Sequence, residues 1–128
     1  MNGKEKVVLT VDNDIGVRKL LSDIITYAGY RPLEATTSRE ALEMLQREQV
    51  DLMLLDINLP GIHGSQFLKF LRDRGDTTPV IVISGFLNKE VVKEVMAAGV
   101  SAVMTKPVDV NRLVTAMKKA LKEEMHGT

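Results

Sequence analysis

The chain has 128 residues, 45% of them apolar and 27% charged, a balance suited to one globular domain with a sizeable core. Its 17 basic and 17 acidic residues cancel, so no global field favours nucleic acid or an anionic membrane surface. It has no cysteine, which excludes a disulfide framework, a thiolate nucleophile and a thiolate metal site.

In chain order, the first residues lead into only Val7-Val8-Leu9-Thr10-Val11 ahead of Asp12. That run is too short for the apolar stretch of a signal peptide, and no later segment approaches a membrane span. A cytoplasmic protein without membrane contact is expected. Strand one covers 6–11. Helix one follows over 15–28, with Val17, Leu20, Leu21, Ile24, Ile25 and Ala28 on one face. Gly29 ends it as a left-handed cap residue would. Tyr30 to Ala35 reads as a weaker second strand, and Pro32 suits a sheet edge. Thr37 and Glu40 have capping-box spacing ahead of helix two, whose buried stripe is Ala41, Leu42 and Leu45. Strands three and four, 51–55 and 79–83, are continuous apolar runs, as strands covered on both faces should be. Helix three lies near 64–74, with Phe67, Leu68 and Leu71 inward. Asn88 is the expected N-cap of helix four, which should bury Val91, Val92, Val95 and Met96. Strand five, 100–104, precedes a helix from Asp109 to Glu123 with Val110, Leu113, Val114, Met117 and Leu121 on one face. The tail Met125-His126-Gly127-Thr128 is expected to fray. Five βα units joined by right-handed crossovers predict an α/β fold, a doubly wound five-stranded parallel sheet. Nothing along 1–128 reads as a linker or a second domain.

Four polar residues fall just past apolar runs: Asp12, Asp56, Ser84 and Lys106. On parallel strands they arrive together at the carboxyl edge of the sheet, where ligands of open α/β folds bind. Two carboxylates, a hydroxyl and an ammonium suit phosphate chemistry in an acidic, metal-holding pocket. Asp56 precedes Ile57-Asn58-Leu59-Pro60-Gly61, and the Pro-Gly turn carries the chain away from it. A carboxylate exposed there can attack phosphorus and form an acyl phosphate. Asp12 and Asp56 can supply the carboxylates that Mg²⁺ takes alongside waters and phosphate oxygens. Asn13 offers a carbonyl oxygen but no charge, and Asp14 sits where helix one needs an N-cap. Lys106 brings a mobile positive charge, followed by Pro107, whose peptide bond can be cis in a tight turn. Ser84 can donate to a phosphate oxygen, and Gly85 lets the backbone approach. His63 and His126, the only histidines, lack metal-ligand spacing and read as solvated residues.

These residues resemble the response-regulator receiver domain of two-component phosphorelays over about 5–122. The resemblance rests on Val11-Asp12-Asn13-Asp14 with Arg18, Leu55-Asp56-Ile57-Asn58-Leu59-Pro60-Gly61 with Gly64, Ile83-Ser84-Gly85 and Thr105-Lys106-Pro107, in that order. It implies strand order 2-1-3-4-5. It also implies that Asp56 accepts a phosphoryl group from a histidine kinase or phosphotransfer protein. Mg²⁺ would sit between the acidic pair after strand one, Asp56 and the backbone carbonyl of Asn58. Ser84 and Lys106 would hold phosphoryl oxygens. The face of helix four, strand five and helix five would then switch toward a downstream protein or output domain, and a homodimer would use the same face. Neither a direct nucleic-acid contact nor catalysis beyond the protein's own phosphorylation and dephosphorylation is implied.

Two positions depart from the family pattern. Asn13 stands where the second acid of the pair belongs, which predicts weaker Mg²⁺ binding and slower phosphorylation. Val103 replaces a common aromatic residue, and valine has one torsion and little reach, so a ring swing cannot couple the switch. Phe86, two residues past Ser84, can obstruct an attacking water and prolong a phosphoaspartate. Three other readings stand beside the receiver. The first is a degenerate receiver that acts as an unphosphorylated interaction module. The second is a haloacid-dehalogenase-like phosphatase with Asp12 as nucleophile, opposed by the early start of helix one. The third is a flavodoxin-like cofactor binder, opposed by an acidic first loop and few aromatic residues.

Overall fold

The computed structural model describes residues 5–123. The elements run β1 (Val7–Val11), α1 (Ile15–Tyr27), β2 (Arg31–Ala35), α2 (Ser38–Arg47), β3 (Leu52–Leu55), α3 (Gly64–Asp73), β4 (Val80–Ser84), α4 (Lys89–Ala97), β5 (Ala102–Thr105) and α5 (Val110–Ala120). All strand pairs are parallel, in the order β2-β1-β3-β4-β5. The flavodoxin-like order implied by the resemblance is therefore the one observed. Pro32 lies on the edge strand β2, and Arg31 N–H still donates to Lys6 at 2.9 Å. Ser84 is the last residue of β4 rather than the first beyond it.

Strand alternation explains why the central strands are apolar throughout. Leu9, Val11, Met53, Leu55, Val80 and Val82 pack in one cluster, with Ala41, Phe67, Leu68, Leu71 and Val95 from α2, α3 and α4. Val8, Leu52, Leu54, Ile81 and Ile83 pack in the other, with Leu21, Ile24, Ile25, Leu113 and Met117 from α1 and α5. Successive side chains point to opposite faces, so every apolar position on β3 and β4 packs in one of the two helix-covered clusters. The tail and His126 lie outside the described residues.

Caps set the helix starts. Asp14 accepts from Val17 N–H, Thr37 from Glu40 N–H, Asn88 from Val91 N–H and Asp109 from Arg112 N–H. The capping box at α2 is displaced by one residue: Glu40 Oε1 accepts from Thr36 N–H and from Thr36 Oγ1, not from Thr37. His63, expected to be solvated, is half-buried and caps α3, with Nδ1 accepting from Ser65 N–H at 3.3 Å. Gly29 follows α1 at φ 95°, a left-handed conformation that a side chain would strain. Three apolar residues assigned to inward faces are exposed: Leu20, Met96 and Val110. Each stands at the margin of its helix stripe, where the helical period does not say how wide the contact is.

At the end of the chain's path, Tyr30 Oη donates to Glu123 at 2.6 Å and ties the start of β2 to the residues after α5. Burial, and then the Glu123 carboxylate, push the phenol well above the ordinary tyrosine pKa. Deep in β1, Thr10 is fully buried, and its Oγ1 has no hydrogen-bond partner. An unmatched hydroxyl in an apolar layer costs about 1–3 kcal/mol. Thr10→Val keeps the shape and removes that cost. It is expected to raise stability by about 1 kcal/mol in urea unfolding, with an unchanged denaturant slope.

Candidate functional site at the carboxyl edge of the sheet

The ladder fixes both acids at the rim. Asp12 N–H donates to the Ala35 carbonyl at 3.1 Å, and Asp56 N–H donates to the Val11 carbonyl at 3.0 Å. Their side chains are 2% and 6% exposed. Lys106 stands one residue past β5, and its N–H donates to the Ser84 carbonyl at 2.9 Å. Its Nζ donates to Asp12 Oδ2 at 2.8 Å and to Asp56 Oδ2 at 3.1 Å. Burial pushes the ammonium's pKa down, but hydrogen bonds and charge from Asp12 and Asp56 outweigh it, so the pKa lies above the ordinary lysine value. The other carboxylate oxygens meet backbone donors: Asp12 Oδ1 accepts from Asp14 N–H, and Asp56 Oδ1 from Asn58 N–H, both at 2.9 Å. Each acid is thus held by two partners and keeps lone pairs for a further ligand.

The loops around the acids are shaped by particular residues. A Cβ on Gly64 would lie 2.6 Å from the Ile57 Cα and 2.7 Å from the Asp56 carbonyl, so α3 can start against the acceptor loop only with glycine there. Gly64 N–H also donates to the Ile57 carbonyl at 2.8 Å. Arg18 donates to the Asp12 carbonyl at 2.9 Å and pairs with Glu34 at 3.1 Å. The Lys106-Pro107 peptide is cis. Ser84 is buried at the end of β4, and the Asn58 side-chain amide donates to its Oγ at 2.8 Å. Asn13 is exposed, Val103 is half-buried, and Phe86 is 69% exposed. Of the residues named from sequence, Asp12, Asp56 and Lys106 are in direct contact, and Ser84 joins them through Asn58. The Asn58 amide, Arg18 with Glu34, and the steric role of Gly64 are additions. The capping potential of Asn and the motif positions of Arg18 and Gly64 were their only signals.

The donor set fits Mg²⁺. The two carboxylates lie side by side at the rim but are nearly buried, because Lys106 and the loops cover them; this includes Asp56, which the sequence suggests is exposed. This hard cation usually takes one or two carboxylates and completes its shell with water and phosphate. Among the described residues no group of three His, Cys, Asp or Glu converges, so the set stops at two acids. A second concavity, of about 690 Å³, lies between β5 and α5, with Val103 and Met104 in its wall and Arg112 and Lys119 beside them. Among the described residues no helix is long and apolar enough to cross a membrane.

Residues 8–118 match the response regulator receiver domain family. The chain is 30% identical over 114 residues to sporulation initiation phosphotransferase F of Bacillus subtilis (strain 168), covering 89% of this chain and 92% of that protein. It is 38% identical over 109 residues to the regulator of RpoS of Escherichia coli (strain K12), across 84% of this chain but 32% of that longer protein. Its fold resembles the crystal structure of a CheY-like response regulator receiver domain protein from Methanospirillum hungatei JF-1. The TM-score is 0.87 and the identity 28%, over 93% of this chain and 95% of that one.

The packing of Gly64 against the acceptor loop gives a direct test. Gly64→Ala must move backbone, not a side-chain tip, and is expected to destabilise the protein by about 1–3 kcal/mol in urea unfolding. It should also shift the amide resonances of Asp56 and Ile57.

Proposed function

The chain belongs to the response regulator receiver domain family, and on that premise we propose that Asp56 accepts a phosphoryl group from a phosphohistidine on a histidine kinase or phosphotransfer protein. The observation that carries this reading is the Lys106 ammonium lying 2.8 Å from Asp12 and 3.1 Å from Asp56 at the carboxyl edge of the sheet. In the transfer, an Asp56 carboxylate oxygen bonds to phosphorus while the phosphorus–nitrogen bond breaks, and the electron pair leaves with the imidazole. Asn58 N–H, on Asp56 Oδ1, orients the attacking group. Lys106 then exchanges a carboxylate contact for a phosphoryl oxygen, and Ser84 supplies a second donor. Asp12, Asp56 and the Asn58 backbone carbonyl would hold Mg²⁺, with Asn13 at a weakened ligand position; when bound, the ion would neutralise charge on the phosphoryl oxygens. The chain acts as phosphoacceptor and switch, and its only catalysis is of its own phosphorylation and dephosphorylation.

The output is a change in the face of α4, β5 and α5, read by a downstream protein, an output domain or a second copy of the chain. With Val103 in β5, that change runs through backbone or α4 movement, not through a ring swing. Phe86 obstructs the water that would hydrolyse the phosphoaspartate. The domain is one receiver with its core at about 5–122, working in the cytoplasm without direct nucleic-acid or membrane contact. One observation favours a second reading, the unphosphorylated interaction module: Asn13 is exposed and uncharged where a second acid would strengthen the metal site.

Incubation with a small acyl phosphate and Mg²⁺, followed by intact mass and peptide mapping, separates these readings. One phosphoryl group on Asp56, lost in Asp56→Asn, is expected. Label on Asp12 would point to phosphatase chemistry, and no label to the interaction module. Asn13→Asp adds a carboxylate to the rim and is expected to tighten Mg²⁺ about tenfold, or ~1.4 kcal/mol, by titration of the unphosphorylated protein.

A further inference from the structure

Asn58 stands two residues past Asp56 on the β3–α3 loop, yet its side chain engages the β4–α4 loop. Nδ2 donates to Ser84 Oγ at 2.8 Å and to the Phe86 carbonyl at 3.2 Å, partners 26 and 28 positions away. Ser84 Oγ donates to the same Phe86 carbonyl at 3.1 Å and accepts from Phe86 N–H at 3.4 Å. A serine hydroxyl has one proton and two lone pairs, and all three are engaged here. Ser84 is fully buried although Asn58 and Phe86 are exposed, so the two loop residues close over its hydroxyl. Its proton therefore becomes available to another acceptor only when it leaves the Phe86 carbonyl.

We propose that the Asn58 carboxamide is a positioning residue that latches Ser84 and the Phe86 carbonyl together, so that phosphorylation of Asp56 must open this latch before Ser84 can hold a phosphoryl oxygen. The proposal rests on Asp56 being the phosphoacceptor. The amide bonds to the arrangement in which Ser84 faces Phe86. It therefore stabilises that state over the one in which Ser84 faces a phosphoryl group, and lowers phosphoryl affinity by that difference. The same rotation takes one of its two donors from the Phe86 carbonyl and leaves it to the Asn58 amide alone. Residues 85–88 lead directly to Asn88, the N-cap of α4, so release at Ser84 is carried along the chain to that helix. No aromatic ring at position 103 is needed for this coupling.

The test uses the full chain, with Asn58→Ala, Ser84→Ala and the double variant. Beryllofluoride with Mg²⁺ serves as the phosphoryl mimic, and amide hydrogen exchange at Phe86 is followed without either. Asn58→Ala is expected to bind beryllofluoride about fivefold tighter, the equivalent of one modest neutral hydrogen bond. In the Ser84→Ala background the same change should have no effect on affinity. Exchange at Phe86 N–H, which donates to Ser84 Oγ, should quicken in unmodified Asn58→Ala. Equal effects with and without Ser84, or an unchanged Phe86 exchange rate, overturns the latch. Failure of the wild-type chain to bind beryllofluoride overturns the phosphoacceptor reading instead, and the exchange comparison still decides the latch.

Discussion

Lys106 Nζ holds two carboxylates that lie 94 and 50 positions away in the chain, Asp12 and Asp56. Its own strand, β5, is bonded only to β4, so the ammonium reaches past β4 to the ends of β3 and β1. Two nearly buried carboxylates side by side disfavour each other's charge, and the cation between them offsets that. Removing Lys106 leaves two carboxylates out of water without a counterpart, the most damaging way to break a buried pair, whereas removing one acid leaves a matched pair. The bridge therefore constrains the relative positions of three strands, and a ligand that takes Lys106 away from one acid must replace what that acid loses. A divalent cation can do so; neither an anion alone nor a neutral molecule can.

Around this constraint the site divides into a fixed part and an adjustable part. Asp12 and Asp56 are held by sheet hydrogen bonds through their own backbones, with Gly64 packed against one and Arg18 against the carbonyl of the other. Ser84 is fixed in its backbone but acts through a hydroxyl whose direction depends on a single torsion, and its partners sit on two loops. A rigid acceptor beside a rotatable donor suits a site whose task is to register a covalent change. The acid accepts the group without rearranging, and the donor carries the news.

The sheet was legible because each central strand is an apolar run, broken only by Thr10 in β1, with a polar residue at or just past its end, a pattern that burial on both faces demands. Three caps were legible for the same local reason: Asp14, Thr37 and Asn88 each present an oxygen three residues ahead of an orphan N–H, whereas Asp109, read as the first helical residue, is the cap of α5. Strand order came from resemblance, since periodicity carries no information about neighbours. Leu20, Met96 and Val110 were misplaced because a helix stripe has a centre set by period but margins set by the neighbour that covers it. The Asn58 amide could not be found from spacing, because its partners belong to another loop. His63 was passed over because a ring nitrogen makes an unusual cap.

The two borders of the sheet are unlike each other. On β2, Arg31 N–H points inward to the carbonyl of Lys6, just before β1, so by alternation the proline nitrogen of Pro32 faces outward, where it has no hydrogen to offer. No proline interrupts β5, Ala102–Thr105, at the opposite border. Another chain extending the sheet therefore finds one receptive side per molecule.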